Sequence, residues 1–291
     1  MLVLAHGDTG AGAWNSKGMT MLDGKVILLT GATDGMGRAL AAELARSGAT
    51  VLVHGRDQGR ISATVEEVIA AAGDPGRVRG YLADFASLAA VRDLAERVTA
   101  AEPRIDVLVN NAGIGINQPG DGARQQSEDG IELRFAVNYL AGYALTRRLL
   151  PLLRASAPSR VVNVASIGQQ AIDFDDPQLT KDYDGMRAYR QSKLAQIMFS
   201  FDLADELAGD GVTVNALHPA TFMPTKVTPV EPVSTIEQGV EATFRLIAGP
   251  AAETGSGRYF NSLEESRAND QAYDPLARGQ LRALSADLTG V

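Results

Sequence analysis

"LLTGATDGMGRALA", Leu28 to Ala41, is the stretch whose reading decides the fold. A short apolar run ends at Thr30, glycines follow at positions 31, 35 and 37, and an alanine-rich segment of helical period begins at once. Glycine permits tight turns and close backbone approach, so the stretch reads as a strand turning directly into a helix. In that setting backbone N–H groups and the positive end of the helix face the bend, an arrangement suited to a phosphate. The spacing is GxxxGxG rather than GxGxxG, so the general dinucleotide fingerprint is half met. On these residues alone, a strand-to-helix turn without a ligand remains the alternative.

Outward from this stretch, short apolar runs alternate with longer segments of helical period. Strands are expected at "KVILLT", "TVLVH" from Thr50, "RVRGYL" from Arg77, "IDVLVN" from Ile105, "RVVNVA" from Arg160, "VTVNAL" from Val212 and "RYF" from Arg258. Helices are expected over Arg38 to Arg46, Ile61 to Ala72, Leu88 to Ala100, Glu128 to Arg154 and Ala188 to Leu207. Several strands are apolar at consecutive positions, as when helices cover both faces of a parallel sheet. The expectation is an α/β fold: one doubly wound Rossmann-type parallel sheet with helices on both faces, in a single domain over residues 22–291. Residues 1–21 read as a poorly ordered extension or as the product of an upstream start codon; they have no basic residue before their short apolar run and make a poor signal peptide. Four loops follow strand ends, at Gly31 to Gly37, Asn110 to Asn117, Ser166 to Asp184 and Pro219 to Pro232. Ligands of open α/β sheets bind there, and the last two are the expected substrate-facing, most mobile segments.

Composition narrows the classes. The 291 residues are 45% hydrophobic and 21% charged, ordinary globular usage in a chain long enough for a full core. A formal charge of -8 repels polyanions, so no nucleic-acid partner is expected. The absence of cysteine excludes disulfides, thiolate catalysis and zinc–cysteine sites, and fits a cytoplasmic location. His6, His54 and His218 are too scattered to suggest a metal site. "DFDDP", Asp173 to Pro177, lacks further oxygen ligands at fixed spacing and reads as a solvated acidic loop. No stretch approaches the ~20 apolar residues that span a bilayer.

Far downstream, "AYRQSKLAQIMF" places Tyr189 and Lys193 four apart, on one face of a helix. A neighbouring ammonium stabilises a phenolate and lowers its pKa, so the pair reads as an acid/base unit; an amphipathic helix with a solvated lysine is the alternative. Ser166 ends "VVNVAS", where its hydroxyl can donate to a substrate oxygen or simply cap a turn.

These residues together resemble the short-chain dehydrogenases/reductases. The resemblance runs from about Leu22 to the C-terminus and rests on "TGATDGMG" (Thr30 to Gly37), "NNAG" (Asn110 to Gly113), Asn138 in "FAVNYLAGY", Ser166 and Tyr189-x-x-x-Lys193. "HGRD" at His54, the long gap from Ser166 to Tyr189, "VTVNALHPA" at Val212, "GRYF" at Gly257 and the closing "LRALSADLTG" are most similar to the retinol-dehydrogenase-like branch.

The resemblance implies hydride exchange between nicotinamide and a ketone or secondary alcohol, of largely apolar character. Tyr189 is then the acid/base, Lys193 lowers its pKa and holds the nicotinamide ribose, and Ser166 polarises the substrate oxygen. Asn138 positions a relay water, or alternatively satisfies local backbone groups. Gly31, Gly35 and Gly37, with Thr33, Asp34 and Met36 between them, surround the pyrophosphate. Asp84 meets the adenine, and Asn111, Ala112 and Gly113 pack by the adenosine ribose. Where an acidic residue would select NAD, the chain has Gly55 followed by Arg56, whose guanidinium suits a 2′-phosphate; NADP is expected over NAD, with Asp34 a departure from that pattern and pairing with Asp57 the alternative for Arg56. After the sixth strand Pro219 is followed by Ala220, with Thr225 one place late, so either Thr225 or Thr221 anchors the carboxamide. A homodimer or homotetramer through the helices carrying Asn138 and Tyr189 is implied. Two other readings stay open: a sensor or scaffold that binds dinucleotide without turnover, and epimerisation or dehydration on the same scaffold.

Overall fold

The computed structural model describes residues 21–116, 123–225 and 231–291. Of the expected N-terminal extension only Met21 falls within them, and Asn117 and residues 226–230 of the expected loops lie outside. All seven expected strands are present: β1 (Val26–Leu29), β2 (Thr50–Gly55), β3 (Val78–Leu82), β4 (Val107–Asn110), β5 (Ser159–Val164), β6 (Val212–His218) and β7 (Arg258–Asn261). A two-residue β8 (Glu264–Glu265) completes a sheet ordered β3-β2-β1-β4-β5-β6-β7-β8. Every pairing is parallel except that of β7 with β8. Two adjacent glutamates on that edge discourage further pairing.

The consecutive apolar residues of the strands serve two cores. Ile27, Leu29, Val51, Val53, Val107 and Val109 face α1 (Gly35–Arg46) and α6 (Ile236–Ala248), meeting Leu40, Leu44, Leu246 and Ile247. Their alternates Leu28, Leu52, Leu108 and Val161 face the other way, against α3 (Leu88–Ala101), α4 (Ala141–Ala155) and α5 (Gly185–Glu206). α2 (Gln58–Ala72) packs on β2 and β3 near the sheet edge. The fold is therefore α/β, a doubly wound sheet covered on both faces. The chain builds outward from β1 to β3 and then returns to place β4 on the other side of β1, so the loops after β1 and β4 diverge and open a crevice.

Helix starts follow side-chain capping. Asp34, Asp57, Ser87 and Asp184 accept backbone N–H groups at the starts of α1, α2, α3 and α5, and Thr235 with Gln238 forms a capping box on α6. Two helices, α6 and α8 (Pro275–Thr289), go beyond the sequence reading, as does the short α7 (Ala251–Thr254). The helix expected from Glu128 starts later: a turn with Gly130 at φ +78° comes first, then a π-helical segment over Phe135–Leu140 that leads into α4. α8 lies along α4 and α5, the helices through which the resemblance implies pairing of copies. Tyr139 Oη and Ser285 Oγ are 2.6 Å apart, Tyr143 donates to the Val291 carbonyl at 3.1 Å, and Arg282 and Arg278 pair with Asp202 and Asp205.

A buried charged group fastens the walls of the crevice. Arg134, with 0% exposure, donates to the carbonyls of Gly115 (3.1 Å) and Ile116 and to Tyr183 Oη (2.6 Å). Tyr183 in turn donates to Glu132 Oε1 at 2.9 Å, and Glu132 lies 3.6 Å from the guanidinium. Removing one member of such a pair leaves an uncompensated charge in the interior. Arg134→Met is expected to lower the unfolding free energy by about 3–5 kcal/mol, read from urea midpoints at unchanged slope, and adding Glu132→Gln should recover part of the loss.

Candidate active site

The glycine loop is shaped by what each glycine touches. Gly31 sits at φ +64°, and a Cβ there would stand 2.7 Å from Ala112 Cα. At Gly37 a Cβ would lie 2.2 Å from the Gly31 carbonyl, so the first turn of α1 closes directly on the loop. Thr30 Oγ1 accepts from the amides of Asn111 (2.9 Å) and Ala112 (3.0 Å), while Asn111 Nδ2 donates to the carbonyls of Thr30 and Gly31. Asn111 thus spends its side chain on holding the two diverging loops together. Met36 points into the α6 interface, its sulfur 3.9 Å from Thr243 Oγ1, which leaves its backbone as its contribution to a ligand. Asp34 caps α1 by accepting from the Gly35 amide at 3.0 Å, and Arg60 pairs with its other oxygen at 3.3 Å.

His54 is a residue whose role the sequence reading missed. Its Nδ1 accepts from the Gly31 amide at 3.2 Å, so Nε2 carries the proton and donates to the Ala83 carbonyl at 3.1 Å. The ring stacks on Phe85 at 4.4 Å. Burial holds its pKa down at about 4, so it stays neutral and ties the glycine loop to the loop after β3. One polar residue within the apolar run "TVLVH" was the available signal.

Between these loops the corner after β2 is open and carries an exposed arginine. A Cβ on Gly55 would meet Thr33 Cγ2 at 2.6 Å, so an acidic side chain has no room there while Thr33 keeps its place. Arg56 is exposed; Asp57 instead caps α2 by accepting from the Arg60 amide at 2.8 Å. Asp84 is exposed at the end of β3, with one oxygen engaged by the Ala86 amide at 2.9 Å. An open loop at a helix N-terminus, glycine backbones without Cβ atoms and an exposed arginine fit a phosphorylated dinucleotide.

The second half of the site lies across the crevice, beyond β5 and on α5. Ser166 Oγ and the Tyr189 ring meet at Gly168, where a Cβ would stand 3.4 Å from the hydroxyl and 3.9 Å from Tyr189 Cε1, and Ser166 Oγ accepts from the Gly168 amide at 3.0 Å. Lys193 is buried with its Nζ 5.9 Å from the Tyr189 ring centroid, donating to the Val164 carbonyl at 3.0 Å and to Gln196 Oε1 at 2.8 Å. Asn138, on the π-helical segment, accepts from the Ile114 amide at 2.7 Å and donates to the Ile114 carbonyl (3.2 Å) and Ser192 Oγ (3.0 Å). Gly113 completes the corner: a Cβ there would stand 3.2 Å from Asn138 Oδ1 and 3.6 Å from Lys193 Nζ. Asn138, Ser166, Tyr189 and Lys193 are therefore brought together.

One expectation is reversed. The spacing predicts that Lys193 lowers the Tyr189 pKa, whereas burial raises the phenol above its ordinary value and the neighbouring Ser166 hydroxyl pulls the other way. The same burial pushes Lys193 down to about 7. The two groups share a water-poor site in which both charged forms lose solvation, and the ammonium is turned toward Val164 and Gln196 rather than the phenol oxygen.

The last two loops form the outer walls. Pro219 is buried after β6. Thr221 Oγ1 is bonded to His218 Nε2 at 2.9 Å, whereas Thr225 Cγ2 lies 3.1 Å from where a Gly35 Cβ would be, so Thr225 is the threonine set against the glycine loop. The loop after Ser166, expected to be mobile, is stitched down: Tyr259 donates to the Ser166 carbonyl at 3.1 Å, and Gln271 holds both backbone groups of Ile172 at 2.6 and 3.0 Å. In the acidic stretch Asp173 pairs with Arg187 at 2.9 Å and Asp176 accepts from Thr180 and Lys181. Among the described residues no cluster of three metal-ligating side chains occurs, and no helix is long and apolar enough to cross a membrane.

The chain is similar to known proteins. The short chain dehydrogenase family model matches residues 25–232. Mouse retinol dehydrogenase 13 is 35% identical over 309 residues, covering 99% of this chain and 90% of its own. A crystal structure of an uncharacterised Mycobacterium paratuberculosis protein superposes with a TM-score of 0.75 at 27% identity, over 96% of this chain and 98% of that one. A Shigella flexneri 2a short chain dehydrogenase complexed with NADP gives a TM-score of 0.67 at 25% identity, over 84% and 100% of the two chains.

The two buried histidines make stability depend on pH. His54 and His218 are both held to about 4 against an ordinary 6.5, so between those values the unfolded chain binds more protons than the folded one. The resulting stabilisation is complete above pH 6.5 and lost as pH falls through 4; His54 alone corresponds to on the order of 3 kcal/mol. Urea midpoints are expected to drop steeply from pH 7 to pH 4.5, and less steeply in His54→Asn. Equal slopes in the two proteins would remove His54 from this role.

Proposed function

The chain belongs to the short-chain dehydrogenase family, in its retinol-dehydrogenase-like branch, and on that premise we propose that it is an NADP-dependent oxidoreductase acting on a ketone or secondary alcohol, with Tyr189 as acid/base. The observation that carries this reading is the placement of Ser166 and Tyr189 on either side of Gly168, beside a buried Lys193 and one crevice away from a glycine loop at the start of α1. When bound, the dinucleotide supplies or accepts the hydride at its nicotinamide. Ser166 holds the substrate oxygen, and in reduction Tyr189 gives its phenolic proton to that oxygen as the carbonyl carbon becomes a carbinol. A phenol kept protonated by burial is in the state that reduction requires.

NADP is favoured over NAD by exposed Arg56 next to a Gly55 with no room for a carboxylate. The charge of Asp34 is offset by its Gly35 N–H bond and its pairing with Arg60. An apolar substrate is supported by Ile167, Phe222 and Val233, large exposed apolar side chains in the loops after β5 and β6. That character agrees with the alcohol in the name of the mouse relative. Retention of tyrosine, lysine and serine at one end of the crevice speaks for turnover over a sensor.

Consumption of NADPH and NADH with a panel of apolar ketones tests the reading. Tyr189→Phe is expected to lower kcat by about 10²–10⁴-fold while NADPH still binds, seen as fluorescence enhancement. Arg56→Glu should raise the KM for NADPH by about 10- to 100-fold, the equivalent of a charged hydrogen bond, and leave that for NADH nearly unchanged. Binding of NADPH without consumption, unaffected by Tyr189→Phe, would return the protein to the sensor class.

A further inference from the structure

Lys193 has three donors on its ammonium. Two are accounted for, by the Val164 carbonyl at 3.0 Å and Gln196 Oε1 at 2.8 Å. The Val164 contact belongs to the backbone at the end of β5 and no substitution can remove it. Gln196 is a free choice of side chain: it lies three residues beyond Lys193 on the same face of α5 and is buried at 4% exposure. Its backbone carbonyl accepts from Ser200 Oγ at 2.7 Å, and Ser200 accepts from Asn163 Nδ2 at 2.8 Å, so the turn of helix that carries Gln196 is fixed to β5.

We propose that Gln196 is a positioning residue for Lys193: its amide oxygen orients the ammonium and sustains its charged form, leaving one N–H for the bound dinucleotide. This rests on the dinucleotide reading of the site. The geometry supports it from the other side as well, since the missing Cβ of Gly113 leaves space 3.6 Å from Nζ. The groups facing Nζ are Tyr189 on the same helix, Asn138 on the π-helical segment and His218 on β6. His218 is held neutral down to about 4 by burial and by the Lys193 charge, and no ion pair of Lys193 with a carboxylate occurs among the described residues. Gln196 is therefore the side-chain acceptor that stabilises a cation whose pKa burial brings to about 7.

The test is the titration of Lys193 itself in the cofactor-free protein, followed by the ¹³Cε NMR shift and assigned with Lys193→Met. Gln196→Met keeps the side-chain length and removes the acceptor; the midpoint should fall by about one unit or more. Gln196→Glu places a carboxylate on the ammonium; the midpoint should rise by about one unit or more. A residue that only fills space would not move the midpoint in opposite directions in the two variants. NADPH affinity, read by fluorescence, should weaken about 10-fold in Gln196→Met, and the alkaline limb of turnover should move down in that variant and up in Gln196→Glu. Coincident midpoints in the wild type and either folded variant overturn the proposal. Opposite midpoint shifts in a protein whose wild type does not bind NADPH would uphold Gln196 as the group that sustains the charge, and overturn its link to the dinucleotide together with the functional reading.

Discussion

An ammonium inside a protein must be met by acceptors or lose its proton, because stripping its water costs several kcal/mol. Lys193 lives under that constraint, and much of the surrounding structure can be derived from it. One acceptor is the last carbonyl of β5, so α5 must lie across the end of that strand in one register. A line of buried polar side chains holds it there: Asn163 reaches from β5 to Ser200 on α5, and Asn110 reaches from β4 to Asn163 and to Thr146 on α4. A slip of α5 by one turn would strand each of these groups in an apolar core, which makes the register of the helix a matter of hydrogen-bond satisfaction more than of shape.

The same logic explains why the site sits at the reversal of strand order. Between β1 and β4 the two following loops leave in opposite directions and cannot cover each other, so their backbone groups need other partners. Thr30 and Asn111 satisfy them from within the loops, and His54 from β2. The crevice stays open because the residues bordering it are tied sideways to one another, leaving the helix terminus of α1 facing the gap. A rigid floor of this kind supplies orientation without closing the pocket, which is the condition for admitting an extended dinucleotide.

Much of the fold was legible in the sequence, for physical reasons that differ by element. Strands buried on both faces announce themselves as consecutive apolar residues, and the glycine loop needs glycines wherever another chain segment comes within 3 Å of a Cβ position. Tyr189 and Lys193 share a face by spacing alone. The start of α4 was not legible, because the π-helical segment over Phe135–Leu140 shifts the face of the helix partway along and breaks the period that a pattern search follows. Nor was the sign of the Tyr189 shift, since a sequence shows which charges are neighbours and not whether water is excluded from both. That Thr225 and not Thr221 lies against Gly35 was not legible either, since it depends on His218 holding the latter.

The substrate walls add the last step. In many folds long loops after strands move, and their sequence length suggests it here, yet both ends of the wall after β5 are fixed by buried or half-buried side chains: Tyr259 and Gln271 at Ser166 and Ile172, and the Glu132–Tyr183–Arg134 group at Tyr183. Arg134 holds the segment after β4 with the same guanidinium. Two walls of the crevice are therefore coupled through one charge, and neither can swing out without exposing Glu132 or leaving Arg134 unpaired in the interior. On the reading proposed above, discrimination among substrates falls to the side chains carried on these fixed walls, of which Ile167, next to Ser166 in sequence, is an exposed apolar one. On that reading a site whose phenol is buried, whose cation is held from behind and whose walls are tied to a common ion pair selects by the shape and apolar contact that those walls offer.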